Sequence, residues 1–261
     1  LIGIIGGGFG LYGYLPAVCI HYDNIKVSIE KRHKVKFLQR SELSPYYDKI
    51  IWETSTQNII NKVEVLILSI PPLHVKEYLN LIIGSPTIKI LIVDKPICEN
   101  PYITEKFIQK IESAGIKIIS SYLFIYTDWI SKIKNTENCI IKWDIINKNS
   151  ITSWKRDPSL GGGDINFYGI HLLSVMAHIY DKFNLDNFKF HINSNSTINK
   201  FEIINNDNYY ISESPFLLSN NNEDNRIYYI IQLFKDLDNN YEFLNTLMKK
   251  TNKLWKQIKP K

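Results

Sequence analysis

The sequence predicts an α/β fold, a doubly wound parallel sheet over residues 1–121 followed over residues 122–261 by a smaller α+β domain with a mainly antiparallel sheet. Two textures predict it. Up to Ser121, short β-branched runs alternate with helical stretches, the order that builds a parallel sheet. Runs such as Val65-Leu66-Ile67-Leu68 show no polar alternation, as strands covered on both faces do not. Beyond Ser121 the strands alternate instead: in Cys139–Asn147, Ile141, Trp143 and Ile145 stand against Lys142, Asp144 and Asn147.

Element by element, Leu1–Ile5 reads as the first strand and Leu11–Ile20 as the helix after it. Ile25–Glu30, Lys49–Trp52 and Val63–Ile70 read as strands two to four. Pro72–Leu81 reads as a helix, Ile88–Val93 as strand five, Tyr102–Ala114 as a helix and Ile116–Ser121 as strand six. A loop through Asp157, Pro158 and Gly161–Gly163 then enters an apolar helix reaching Tyr180. Phe188–Asn193, Lys200–Asn205 and Tyr209–Ser212 read as antiparallel strands, and Arg226 to about Ile258 as two helices broken near Asp238–Asn240.

Composition narrows the function classes. With 44% hydrophobic and 22% charged residues the chain has the balance of a globular protein with a sizeable core. A net charge of +5 is spread along it, apart from Lys31, Arg32, His33, Lys34 and Lys36. No basic stripe with stacking aromatics supports a nucleic-acid partner. Cys19, Cys98 and Cys139 give neither a disulfide framework nor a zinc spacing, and no metal is expected. No apolar run approaches the ~20 residues that span a bilayer, and Leu1–Ile5 lacks the basic region of a signal peptide. The expectation is a cytoplasmic protein in a reducing compartment, with a small-molecule substrate and no membrane partner.

The chemistry-bearing pattern is Gly6-Gly7-Gly8-Phe9-Gly10-Leu11, between a strand and a helix. Glycines there permit a tight turn and let the backbone approach a pyrophosphate, while helix N–H groups point at its charge. Leu11 stands where a third small residue usually sits; the register Gly8, Gly10 and Gly13 satisfies the spacing too. Glu30, 22 residues past Gly8 at the end of strand two, is placed to take ribose hydroxyls. The layout is that of a Rossmann-type dinucleotide site for NAD or NADP. Glu30 favours NAD, whereas Lys31 and Arg32 are the groups that would pair with a 2′-phosphate.

Further segments, in order, resemble the glucose–fructose oxidoreductase / inositol dehydrogenase / MocA (Gfo/Idh/MocA) family. They are Leu15-Pro16-Ala17 after the turn, Ser69-Ile70-Pro71-Pro72 with His74 after strand four, and Asp94-Lys95-Pro96 closing strand five. Trp154-Lys155-Arg156-Asp157-Pro158 running into Gly161-Gly162-Gly163, Gly169 and His171 completes the set. The resemblance spans roughly residues 1–175 and is loose beyond. It implies that Gly6, Gly8, Phe9, Gly10, Glu30, Arg32, Pro71, Pro72, His74 and Lys95 line the cofactor. It further implies Lys95 beside the nicotinamide and substrate oxygen, and His171 as acid/base. An imidazole titrating near neutrality suits the proton left by hydride removal. The sequence departs from the family at Phe167, where an aspartate commonly stands one turn before the histidine. Asp164 lies one turn further back, and a helix-start acid is its plain alternative. Phe167 and Tyr168 are candidates to stack on a flat ligand, and Tyr122, Tyr126 and Asp157 to meet the substrate.

The expected function is therefore NAD(P)-dependent oxidoreduction of a sugar, sugar nucleotide or related polyol. Three further readings stand beside it. A non-catalytic NAD(P)-binding regulatory or accessory protein follows from Phe167. A short-chain dehydrogenase would use Tyr102 and Lys106, but Pro101 sets that pair at a helix start. A His171–His178 metal site lacks a third ligand. The resemblance also leaves room for a homodimer or higher homo-oligomer.

Overall fold

A computed structural model describes residues 1–133, 138–179, 188–205, 209–216 and 225–258. Six strands form the first sheet: β1 (Ile2–Ile5), β2 (Val27–Glu30), β3 (Ile50–Glu53), β4 (Val65–Leu68), β5 (Ile90–Val93) and β6 (Lys117–Ser120). All pair in parallel, in the order β3-β2-β1-β4-β5-β6. The chain winds outward from β1 to β3, then returns to β4 on the other side. That reversal opens a crevice at the carboxyl ends of β1 and β4, where ligands of such sheets bind.

The helices between these strands are α1 (Leu15–His21), α2 (Lys34–Leu38), α3 (Thr56–Ile60), α4 (Pro72–Val75), α5 (Leu79–Ile83) and α6 (Pro101–Ser113). α1 is entered through a wide π turn, Gly10–Tyr14. The helix expected over 72–81 is divided into α4 and α5 by a tighter turn at Lys76–Tyr78. α6 has sequence-coded ends. Asn100 Oδ1 accepts from the Tyr102 and Ile103 amides at 3.0 and 2.9 Å, Pro101 opens the helix, and Gly115 at φ +75° follows it. Neighbouring strand residues bury opposite faces: Ile5, Leu66 and Leu68 on one side, Ile4 and Ile67 on the other.

The second sheet contains β7 (Cys139–Ile146), β8 (Phe188–Asn193), β9 (Asn195–Asn205) and β10 (Tyr209–Ser212), in the order β10-β9-β7-β8. β9 pairs antiparallel with β7 and β10, but β8 is parallel to β7. This corrects the antiparallel expectation for Phe188–Asn193. α7 (Ile170–Ile179) lies between β7 and β8 in the chain, and a strand–helix–strand crossover returns the second strand parallel. The chain then rounds the end of β7 through buried Ser194 into β9. Tyr180, the expected end of α7, lies outside the described residues.

The carboxyl-terminal helices are α8 (Arg226–Asn239) and α9 (Tyr241–Ile258). Both pack on the first sheet's layers. Tyr229, Ile230, Leu233 and Phe234 of α8 share a core with Ile4, Leu11 and Leu15. α9 is fastened to α6: Asn252 donates to the Pro101 carbonyl at 3.1 Å, and Lys256 pairs with Glu105 at 2.5 Å. The second sheet is thus an insertion between β6 and α8. Among the described residues no helix is long and apolar enough to cross a membrane, and no three His, Cys, Asp or Glu side chains converge as for a metal.

Candidate functional site

The glycine turn sits at the crevice between β1 and β4. Gly6 adopts φ +133°, and a Cβ there would collide with the Ser69 carbonyl at the end of β4. Gly10 packs against Ile4, and Gly13 lies under the Phe9 ring, so Gly13 serves packing. Gly8 differs. It is exposed, and a Cβ added to it would meet open space. The Leu11 amide donates to the Gly8 carbonyl at 2.9 Å, which starts the following turn. The turn is therefore a cradle with space free of protein atoms at Gly8, and it fits a dinucleotide pyrophosphate.

At the end of β2, Glu30 is buried, and each carboxylate oxygen accepts one hydrogen bond. Arg32 donates to one oxygen at 2.6 Å, and Thr56 to the other at 2.9 Å. The His33 ring packs against Gly7, with Nε2 buried, 3.9 Å from Glu30 and without a hydrogen bond. Burial and neighbouring Arg32 hold its pKa below the usual histidine value. Thr56 and His33 belong to this pocket and were not foreseen, since neither lies in a motif.

The ends of β4 and β5 bring the reactive groups. Pro72 opens α4 and is buried; His74 is exposed and pairs with Glu77 at 2.9 Å. Asp94 accepts from the Lys95 amide at 2.9 Å and from Ser69 Oγ at 3.3 Å, and burial raises its pKa. Lys95 precedes a cis peptide to Pro96. Its ammonium donates to the Phe167 carbonyl at 2.6 Å and stands 4.4 Å from the centre of the Phe167 ring. Burial moves the Lys95 pKa down to about 8; Asp94 opposes that, and Lys155 and Arg226 add to it.

Phe167 belongs to a wide π turn, Asp164–Gly169, that leads into α7. Each glycine before it is filled by protein: Pro72 against Gly161, the Trp154 carbonyl against Gly162, Pro158 against Gly163. These glycines therefore allow tight packing against the Pro71-Pro72 segment and the 154–158 turn. Phe167 is half-buried, edge-on to Trp154 at 5.6 Å and Tyr168 at 4.9 Å. Asp164 is half-buried and makes no hydrogen bond or ion pair with described residues. His171 is 4% exposed and stacked on Phe124 at 4.4 Å, its Nδ1 without a partner. Burial first, then Lys95 and Arg226, hold its pKa well below the usual value, so the ring is neutral at pH 7.

Three candidates are committed elsewhere. Tyr122 is buried in the core, and Tyr126 donates to Asp236 of α8 at 2.7 Å. Asp157 is exposed and caps its own turn, accepting from the Ser159 amide and hydroxyl at 2.8 and 2.7 Å. Packing between the halves and turn closure take these groups from the crevice. Tyr102 of α6 lies under Lys256, 5.4 Å away, and His178 packs on Phe243 at 5.6 Å.

A third residue missed by sequence reasoning is Arg226. From the start of α8 its guanidinium lies 5.4 Å from the Phe9 ring and 5.3 Å from Phe216, and its charge acts on Asp94, Lys95 and His171. No local motif marks it. The amphipathic run after it, Tyr229, Ile230, Leu233, Phe234 and Leu237, announces only a packed helix.

No protein-family model and no curated protein sequence matches the chain. Solved structures do match in fold. A Gal80p super-repressor mutant from Saccharomyces cerevisiae aligns at TM-score 0.72 and 10% identity, over 98% of this chain and 94% of that one. The WlbA dehydrogenase from Thermus thermophilus, in complex with NAD and UDP-GlcNAcA, aligns at 0.69 and 9%, over 100% and 95%. KijD10, a 3-ketoreductase from Actinomadura kijaniata in complex with NADP and TDP-benzene, aligns at 0.66 and 10%, over 96% and 94%. The chain therefore has the two-domain fold found in Gfo/Idh/MocA-type oxidoreductases.

Proposed function

We propose that the protein is an NAD(P)-dependent oxidoreductase acting on a sugar, sugar nucleotide or related polyol. One observation carries the reading. Lys95, with a pKa near 8, projects from the end of β5 beside neutral His171, at the crevice where Gly8 leaves open space. The glycine turn would hold the pyrophosphate, Glu30 and Arg32 the adenosine ribose, and Pro71, Pro72 and Lys95 the nicotinamide side. The cofactor supplies or accepts the hydride. The chain's own contribution is the proton: Lys95 Nζ takes it from, or returns it to, the substrate oxygen, titrating in the range acid–base catalysis requires. Neutral His171 orients that oxygen. This division reverses the roles implied by the resemblance, because burial keeps the imidazole from protonation and brings the lysine toward neutrality.

Fluorescence titration of NADH and NADPH tests the reading. Gly8→Val should abolish binding by filling the cradle, with an unchanged thermal midpoint because that space holds no protein atom. Failure of both cofactors to bind wild type would refute the proposal. Glu30 favours NAD, since a 2′-phosphate would meet its carboxylate; tighter NADPH binding lost on Arg32→Ala would reverse that preference.

A non-catalytic NAD(P)-binding regulator is the second reading, and the unpartnered, neutral His171 favours it, as does the fold shared with the regulator Gal80p. It predicts tight NADH binding with no oxidation by any carbonyl substrate, and Lys95→Ala without effect.

A further inference from the structure

We infer that the substrate carries an anionic group, a carboxylate or phosphate, received by Lys155. This rests on the oxidoreductase reading and narrows its substrate class. Lys155, on the turn Trp154–Arg156, is half-buried, with Nζ 5.5 Å from the centre of the Phe167 ring. Lys95 Nζ stands 4.4 Å from the same ring, so two ammonium groups converge on one aromatic side chain. The Phe167 carbonyl accepts one N–H of the Lys95 ammonium, whereas Lys155 has no acidic partner among the described residues. Arg226 adds a third positive charge from α8, felt by both Lys95 and His171. On the acidic side, Asp94 is half-buried and accepts from Ser69 and the Lys95 amide. Asp164, at the turn's start, adds one half-buried carboxylate. The Phe167 ring between the two lysines offers each only a weak cation–π partner.

A neutral polyol entering here would strip water from Lys155 and leave it no counter-charge, which disfavours binding. An anion supplies the counter-charge together with charge-assisted acceptors for the ammonium's donors. Charge of this sign in a crevice also draws anions in from solution.

The test uses the full chain saturated with NADH and follows its bound fluorescence on addition of glucuronate, glucose 6-phosphate or glucose. At least one anion should bind roughly tenfold more tightly than glucose, a difference of about 1.4 kcal/mol. Lys155→Ala should erase that difference and Lys155→Arg keep most of it, while Lys142→Ala, on the exposed side of β7, changes nothing. Preference for glucuronate assigns a carboxylate, and preference for glucose 6-phosphate a phosphate. Equal or absent binding of all three, or an anion preference that survives Lys155→Ala, overturns the inference and leaves the cofactor reading standing. Absence of NADH binding itself brings down both.

Discussion

Moving the Lys95 ammonium out of water, near Lys155 and Arg226, places its titration at about 8, well under that of a free lysine. If Lys95 handles the proton, alcohol oxidation should rise as pH passes through about 8, and carbonyl reduction should fall. Lys95→Gln should remove the inflection and lower turnover by roughly 10²-fold. A profile that keeps its inflection in the variant would transfer the role to another group. His171 has the opposite kind of consequence, read in stability. Its pKa is lowered on folding, so below about 6.5 the unfolded chain binds a proton that the folded chain refuses. Stability is therefore lost as pH falls from 6.5 toward the folded value, and His33 adds to the slope. His171→Phe, which can keep the stack on Phe124, should flatten the fall in thermal midpoint between neutral and acidic pH; an unchanged slope would show that the imidazole is not its source. Lys95 and His171 were legible in the sequence because each ends or follows a motif of fixed spacing. Arg226 was not, since its place depends on how a distant helix packs.

At the scale of elements, the six parallel strands were legible within a few residues because each is a short, β-branched segment set between helical stretches, continuous and apolar in β4 and β5. The direction of β8 was not: period-two alternation marks a half-exposed strand but carries no sign for its neighbour's direction. The three glycines before α7 announce a tight turn but not what fills it, and protein contacts hold it. Asn166 is central to it, donating to the Pro158 carbonyl at 3.1 Å and accepting from Trp255 Nε1 of α9 at 3.1 Å. Asn166→Ala would leave the buried Trp255 Nε1–H without its acceptor and remove one of the bonds to the Pro158 carbonyl, which keeps the Gly161 amide, and should cost about 1–3 kcal/mol in denaturant unfolding. Combined with Trp255→Phe, the losses should fall short of their sum, because one bond is shared. Additive losses would mean that α9 does not brace the turn carrying Phe167 and Lys95's carbonyl partner.

For the whole molecule, the packing of α8 and α9 decides what folds with what. The first sheet buries one face beneath α1 and α8 together, so a chain ending at residue 225 would expose Ile4, Leu11 and Leu15. Such a truncation should lose cooperative unfolding and gain protease sensitivity within residues 1–121. A truncated chain melting sharply at the intact midpoint would contradict the shared core.

The same arrangement has a consequence for synthesis on the ribosome. The half whose strands emerge earliest cannot cover its own hydrophobic face until residues 226–258 have been translated, after the whole inserted sheet. Amino-terminal domains generally fold as they emerge. Here the nascent sheet waits with a greasy face turned outward for roughly a hundred further codons, an interval of about 5–20 s at ordinary elongation rates. A holdase bound during that interval would be protecting an intact design, not rescuing a defective one.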